Sequence, residues 1–267
     1  MSSSRAVRLL GLVVLVYAVL RVPVAASAEP GAVTFLQFNL CGSACGTRLA
    51  VVADLEREIR DHAPQPSVVT LDEICRGQYD RLVADLRYAG HFESTVPGRC
   101  WDGSDYGIAI LVRTDPASVA VAGSWALPAP AGGEPRRLAC VRATVRDRPL
   151  VGCVTHLDTD PANTPSQVAA VAAAVAGFPP AVVGGDFNAL PDSPAMTPMY
   201  ASFREVGAGF TGGCPAARCG AGPGYAHPTR KIDYLFLSRG DFTDPVARTG
   251  DAPHSDHVPL WATAVMT

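Results

Sequence analysis

Lysine is nearly absent from this chain. Lys231 is the one lysine among 22 basic residues, and the others are arginine. With a formal net charge of −3, a long basic surface of the kind that coats nucleic acid is excluded, although a small basic groove is not. Charge of either sign is scarce, at 18% of residues against 48% hydrophobic, and a disordered chain needs the opposite balance. No apolar run reaches the roughly 20 residues that a membrane-spanning helix requires; the run at 9–20 has 12. No CxxC pair is present, so the spacings of zinc knuckles are missing. Internal repeats and an interdomain linker are also missing. Glycine and proline are plentiful, at 25 and 23 residues, which argues against a coiled coil or an all-helical bundle.

The N-terminus reads as a processing segment. Arg5 and Arg8 precede the short apolar run, and Ala26-Ser27-Ala28 is a small-x-small cleavage site. Together these predict a secretory signal peptide over residues 1–28 and a single domain over 29–267. Cleavage leaves 19 basic against 25 acidic residues, a mature charge of −6. The cysteines agree with export: Cys41, Cys45, Cys75, Cys100, Cys140, Cys153, Cys214 and Cys219 all lie beyond the cleavage site, and an even count predicts four disulfides. Cys41–Cys45 and Cys214–Cys219 are local pairs. Cys140 and Cys153 flank a hairpin turn at Arg146-Asp147, and Cys75–Cys100 follows by elimination.

The mature chain alternates strand-like and helix-like segments. Strands are predicted at 33–39, 68–71, 107–112, 138–145, 150–155, 181–184, 232–237 and 258–264. Helices are predicted at 47–62, 76–89, 164–177 and, briefly, 196–203. Thr164-Pro165-Ser166-Gln167 has the pattern of a capping box with Pro at the first helical position. Gly220-Ala221-Gly222-Pro223-Gly224 is read as a plain loop, because no strand precedes it and no helix follows.

Six strands begin or end in polar residues: Asn39, Asp72-Glu73, His156, Asp186 with Asn188, Asp233, and Asp256-His257. A single strand-end carboxylate is usually a turn former, and Asp186-Asn188 would make an ordinary Asx turn. Six such ends have one economical explanation, a shared site on the sheet rim.

Phe38-Asn39-Leu40, Leu71-Asp72-Glu73-Ile74, Thr155-His156-Leu157, Gly185-Asp186-Phe187-Asn188-Ala189, Ile232-Asp233-Tyr234 and Ser255-Asp256-His257 occur in this order. In that order the chain resembles the endonuclease/exonuclease/phosphatase superfamily, deoxyribonuclease I-like, from about residue 33 to the C-terminus. The resemblance implies an α/β (α+β) four-layer sandwich: two mixed β-sheets face to face, flanked by helices. It also implies hydrolysis of phosphate esters assisted by Mg²⁺, or by Mn²⁺ or Ca²⁺. Thr-His-Leu at His156 is similar to the deoxyribonuclease, sphingomyelinase and inositol-phosphatase branches and differs from the abasic-site endonucleases.

The chemistry assigns roles to these residues. Water attacks an anionic phosphodiester only if its charge is neutralised, which a hard cation on oxygen ligands supplies. Glu73 is the leading ligand, with Asn39 and Asp256 beside it by resemblance. His257 is the general base, with an ordinary pKa of roughly 6.5, and Asp233 orients it. Asp186 aligns the water, Asn188 donates to a phosphoryl oxygen, and His156 protonates the leaving oxygen or steadies the phosphate. Asn39 and Arg137 are assigned to substrate binding, with Arg136 the alternative to Arg137. The remaining histidines match no motif.

These readings predict a secreted, monomeric, metal-dependent hydrolase of phosphate esters, foremost a nuclease-like phosphodiesterase. The alternative substrates are the headgroups of sphingomyelin or inositol phosphates. An exposed apolar loop for lipid is not evident, but the mature charge of −6 weakens avid DNA binding equally. A non-catalytic scaffold of the same fold predicts losses among the site residues, and none is lost.

Overall fold

The protein is described by a computed structural model over residues 31–114, 118–178, 180–206 and 230–267. The expected signal peptide, the Cys214–Cys219 pair and the loop at 220–224 lie outside the described residues. Twelve strands and four helices are described: β1 Ala32–Asn39, α1 Ala50–Asp61, β2 Val68–Cys75, α2 Arg76–Leu86, β3 Ala89–Val96, β4 Tyr106–Val112, β5 Ala120–Ala126, β6 Arg137–Val145, β7 Arg148–His156, α3 Thr164–Val175, β8 Ala181–Asp186, α4 Thr197–Ser202, β9 Phe203–Glu205, β10 Asp233–Ser238, β11 Phe242–Thr249 and β12 Leu260–Met266. They form two six-stranded mixed sheets, in the orders β11-β12-β1-β2-β4-β3 and β5-β6-β7-β8-β10-β9. The pairs β1–β2 and β7–β8 are parallel.

Four layers follow from side-chain alternation. Along β1, Val33 and Phe35 face the opposite sheet, while Leu36 and Phe38 pack outward against Val52, Leu55 and Ile59 of α1. Along β8, Val182 faces inward, and Ala181 and Val183 meet α3 and α4 through Val168, Val171 and Met199. Period-two strands buried on both faces produce such continuous apolar runs.

The sheets approach closely where β8 crosses β2. A methyl group on Gly184 would lie 2.0 Å from Thr70 Oγ1, and one on Gly185 would lie 2.0 Å from the Thr155 carbonyl oxygen. Both glycines are therefore demanded by packing. Gly184→Ala is expected to reduce the free energy of unfolding by about 1–3 kcal/mol through overpacking. Gly185→Ala should cost more, because a strand carbonyl cannot rotate aside as a threonine can. Denaturant unfolding of both variants is the check; wild-type midpoints would contradict the close approach.

Three disulfides are present among the described residues: Cys41–Cys45, Cys75–Cys100 and Cys140–Cys153. The β6–β7 hairpin turns at Arg146 and Asp147, both with positive φ (51° and 63°), as a two-residue type I′ turn requires. Cys140 and Cys153 are direct cross-strand partners. The expected capping box at Thr164 is not formed. Asn163 occupies the cap position, and the Thr164 hydroxyl donates to the Asp160 carbonyl, 3.2 Å, in the turn that precedes the helix. Gln167 does reach back, accepting from Asp158 N at 2.8 Å.

Candidate active site

The inner face of each sheet changes from apolar to polar toward one end. Along β1 it runs Val33, Phe35, Gln37, Asn39; along β2 it runs Val68, Thr70, Asp72. On the second sheet, His156, Asp186 and Asp233 are cross-strand neighbours at the ends of β7, β8 and β10. Asn39 and Asp72 are neighbours on the first sheet. The two rows face each other, so the site is the polar end of the inter-sheet core.

Asp72 joins the rows. Its Oδ2 accepts from Gln37 Nε2 at 2.5 Å and from the Asp186 backbone N–H at 2.7 Å. Its Oδ1 is buried without a hydrogen-bond partner among the described residues. Burial, with the charges of Asp186 and Asp233 nearby, holds Asp72 well above the usual carboxylate range. Sequence reasoning placed Asp72 at the rim but gave its function to Glu73 alone; the inward phase of Val68, Thr70 and Asp72 was the signal for it.

Glu73 follows a break in the β2–β4 register between Leu71 and Ile74, in the left-handed region at φ 51°. A bulge of this kind re-aims a side chain at the edge of a site. Asn39 Nδ2 donates to Glu73 Oε1 at 3.1 Å and to Asp186 Oδ2 at 3.4 Å.

Asp186 is the hub of the site. Its Oδ2 lies 3.9 Å from His156 Nε2 and 3.8 Å from His257 Nε2. Its Oδ1 accepts from Asn188 N at 2.9 Å, so the Asx turn and the site are one structure. Burial and the Asp233 charge push Asp186 up to about 8. Asn188 is left-handed at φ 49° and donates one amide hydrogen to the Leu157 carbonyl at 3.0 Å, leaving the second for another acceptor.

The two histidines differ in charge. His257 Nδ1 lies 2.7 Å from Asp233 Oδ2. Burial alone would lower its pKa, but the Asp233 charge and hydrogen bond, with Asp186 and Asp256, push it up to about 9. His156 is held well below 6.5 by burial, Arg136 and His257. Arg136 NH1 lies 3.1 Å from His156 Nδ1. Since arginine only donates, the His156 proton sits on Nε2, facing Glu73 and Asp186. A neutral ring with that tautomer is a hydrogen-bond donor, which favours steadying the phosphate over protonating the leaving oxygen.

Three of the expected site residues have other partners in this structure. Arg137 is directed away from the site, bonded to Glu93 and to Ser124 Oγ at 2.7 Å; alternation along the strand gives the site to Arg136. Asp256 is exposed, with its Oδ1 3.7 Å from Cys45 Sγ, and makes no hydrogen bond to Glu73 or Asn39 among the described residues. Asn39 turns its amide nitrogen toward the carboxylates and its oxygen to Cys41 N at 3.0 Å, so it links Glu73 to Asp186. Among the described residues, the histidines outside the motifs are engaged elsewhere: His62 stacks on Trp261, His91 meets Glu93, and His254 meets Asp54.

The donor set fits a hard divalent cation. Asp72, Asp186 and Asp233 crowd one buried volume, where burial first and neighbouring carboxylate charge second raise Asp72 and Asp186; a cation beside them would offset the second. Asp186, Asp233 and His257 also lie within ligand distance of one another. However, Asp233 Oδ2 and His257 Nδ1 already bond each other, which leaves Glu73 and Asp186 as the carboxylates to hold the ion.

The family model of the Endonuclease/Exonuclease/phosphatase family matches residues 36–257, which span every motif of this site. The chain belongs to that family. Members of the family are phosphoester hydrolases, and the fold agrees. The human Nocturnin catalytic domain, solved with a bound sulfate anion, superposes with a TM-score of 0.66 at 18% identity, covering 89% of this chain and 94% of that one. D. rerio TDP2, solved with a single-strand DNA product, gives 0.65 at 15% identity, over 88% and 99%. An endonuclease/exonuclease/phosphatase from Bacteroides vulgatus gives 0.64 at 17%, over 88% and 99%. No curated protein matches the sequence.

Proposed function

We propose that this protein is an exported, divalent-metal-dependent phosphodiesterase whose substrate is nucleic acid. The observation that carries the reading is the Asp233–His257 bond of 2.7 Å, with His257 Nε2 3.8 Å from Asp186 Oδ2. Asp233 holds the ring so that Nε2 takes a proton from a water oriented by Asp186. His156 Nε2–H and the second Asn188 amide hydrogen face the charge that builds on the phosphoryl oxygens. Glu73 and Asp186 would hold a divalent cation, which would supply charge neutralisation at the same phosphate. The structure of TDP2 with a single-strand DNA product supports nucleic acid as the substrate class.

The test is hydrolysis of DNA, RNA, sphingomyelin and inositol phosphates by the mature protein, with Mg²⁺ and with chelator. Nucleic-acid cleavage abolished by chelator is expected; cleavage confined to sphingomyelin or inositol phosphates would overturn the reading. The pH profile carries a sign. A base held protonated up to about 9 is mostly unavailable at pH 7, so activity should climb as pH rises from 7 toward 9. A profile flat above the ordinary histidine value would contradict the assignment of His257. Export is tested by the N-terminus of the secreted protein, expected at Glu29.

A further inference from the structure

We propose that Arg99, Glu134 and Arg136 form a second anion subsite that takes the phosphate next to the scissile one in a polynucleotide. The proposal rests on the phosphodiesterase reading above and names where its substrate continues.

Three charged side chains make a row leading out of the site. Arg136 is 9% exposed and touches His156. Glu134 Oε1 lies 3.0 Å from Arg136 NH1, and its other oxygen bonds Arg99 NH1. Arg99 also lies over the Tyr106 ring, 4.9 Å from its centroid. Two guanidinium groups thus share one carboxylate, leaving the row one positive charge in excess. The Arg136 Nε–H is buried and lacks an acceptor among the described residues. A buried donor without an acceptor is costly and points to a ligand atom absent from the free protein.

The row is also rigidly mounted. Arg99 precedes Cys100, which is disulfide-bonded to Cys75, two residues beyond Glu73. The Gly98 N–H donates to Asp105 Oδ1 at 3.0 Å within the same loop. Trp101 is next along, 37% exposed, an aromatic face of the type on which single-stranded bases stack.

The charge selects the class of substrate. One positive charge in excess matches a diester phosphate, which carries one negative charge. A second phosphate at fixed spacing is a property of a polynucleotide, and a sphingomyelin headgroup has none. A lipid surface would instead need a contiguous apolar patch. The two most exposed apolar side chains among the described residues, Val121 and Val246, lie on edge strands of different sheets and do not form one together.

The experiment compares wild type, Arg99→Ala and Glu134→Gln on a single-stranded oligonucleotide, on bis(4-nitrophenyl) phosphate, which has no second phosphate, and on sphingomyelin vesicles. Arg99→Ala should lose at least tenfold more kcat/KM on the oligonucleotide than on the small diester. It should also flatten the dependence of log KM on log salt by about 0.7, the contribution of one neutralised phosphate on a single strand. Glu134→Gln removes the competing carboxylate and should lower KM for the oligonucleotide and steepen that dependence. Equal losses on both substrates, or an unchanged salt slope, would overturn the subsite while leaving the phosphodiesterase reading intact. Inactivity of the wild type on both substrates would overturn the phosphodiesterase reading, and the subsite with it. A selective loss on sphingomyelin vesicles in place of the oligonucleotide would overturn the polynucleotide assignment.

Discussion

His257→Ala is expected to lower turnover by on the order of 10³-fold, within the range a positioned general base contributes, with KM changed far less. The basis is geometric: Asp233 Oδ2 takes one ring nitrogen at 2.7 Å, and the other faces Asp186 at 3.8 Å, so the ring is committed to one orientation. Asp233→Asn should fall in the same range for a different reason. It removes the charge that holds a proton on His257, so the midpoint of the pH profile should drop from about 9 toward the ordinary histidine value of roughly 6.5. The remaining ring is a weaker base and is free to rotate. Because the two residues act as a unit, the double variant should be little worse than His257→Ala. Turnover of the three variants across pH decides the matter. Additive losses, or a pH midpoint unmoved by Asp233→Asn, would show that the pair does not act as one base.

The parts of the fold that were legible in the sequence are the parts buried on both faces. All eight expected strands are present, and every one lies inside its sheet. The four that went unread, β3, β5, β9 and β11, are the four edge strands. Their sequences explain this. β3 is only partly buried along its length, β5 is exposed at both ends, and β11 carries Asp244 and Pro245. Edge strands face solvent and tolerate charge and proline, so they lack the apolar run that marks a central strand. Tertiary pairing, and not local pattern, makes them strands.

The same distinction separates the site residues. Asp186, Asp233, His156 and His257 were legible because each stands at or just before one end of a strongly apolar strand. Arg136 and Arg137 are adjacent, and which one faces the site depends on the phase of a strand whose start at Arg137 the sequence does not mark. Asp256 stands beside His257 in a loop, where no period decides its direction. Asp72 had both the period and the apolar strand behind it, and was overlooked because Glu73 offered a more familiar role. The structure shows that the two are complementary: Asp72 keeps the inward phase of β2 and ties the sheets together, and the bulge after it turns Glu73 toward the opening.

That bulge gives Glu73 a testable double character. A residue other than glycine at φ 51° stores on the order of 1–3 kcal/mol of backbone strain, and a carboxylate held near Asp186 adds like-charge crowding. Glu73→Gly should therefore raise the stability of the metal-free protein while removing activity. Glu73→Gln keeps the strain and loses only the charge. If Glu73 holds a divalent cation with Asp186, that single change should raise the Mg²⁺ concentration needed for half-maximal turnover by at least the 10–100-fold typical of outer-shell losses. Activity should then return in part at high Mg²⁺, because water can fill a vacated oxygen position. A second readout needs no substrate. Mg²⁺ should raise the melting temperature of the wild type by mass action on the folded state, and the shift should shrink sharply in both variants. Equal Mg²⁺-dependent shifts in wild type and Glu73→Gln would remove Glu73 from the ligand set. A Glu73→Gly variant less stable than wild type would mean that the left-handed turn is held by the glutamate side chain and not imposed on it.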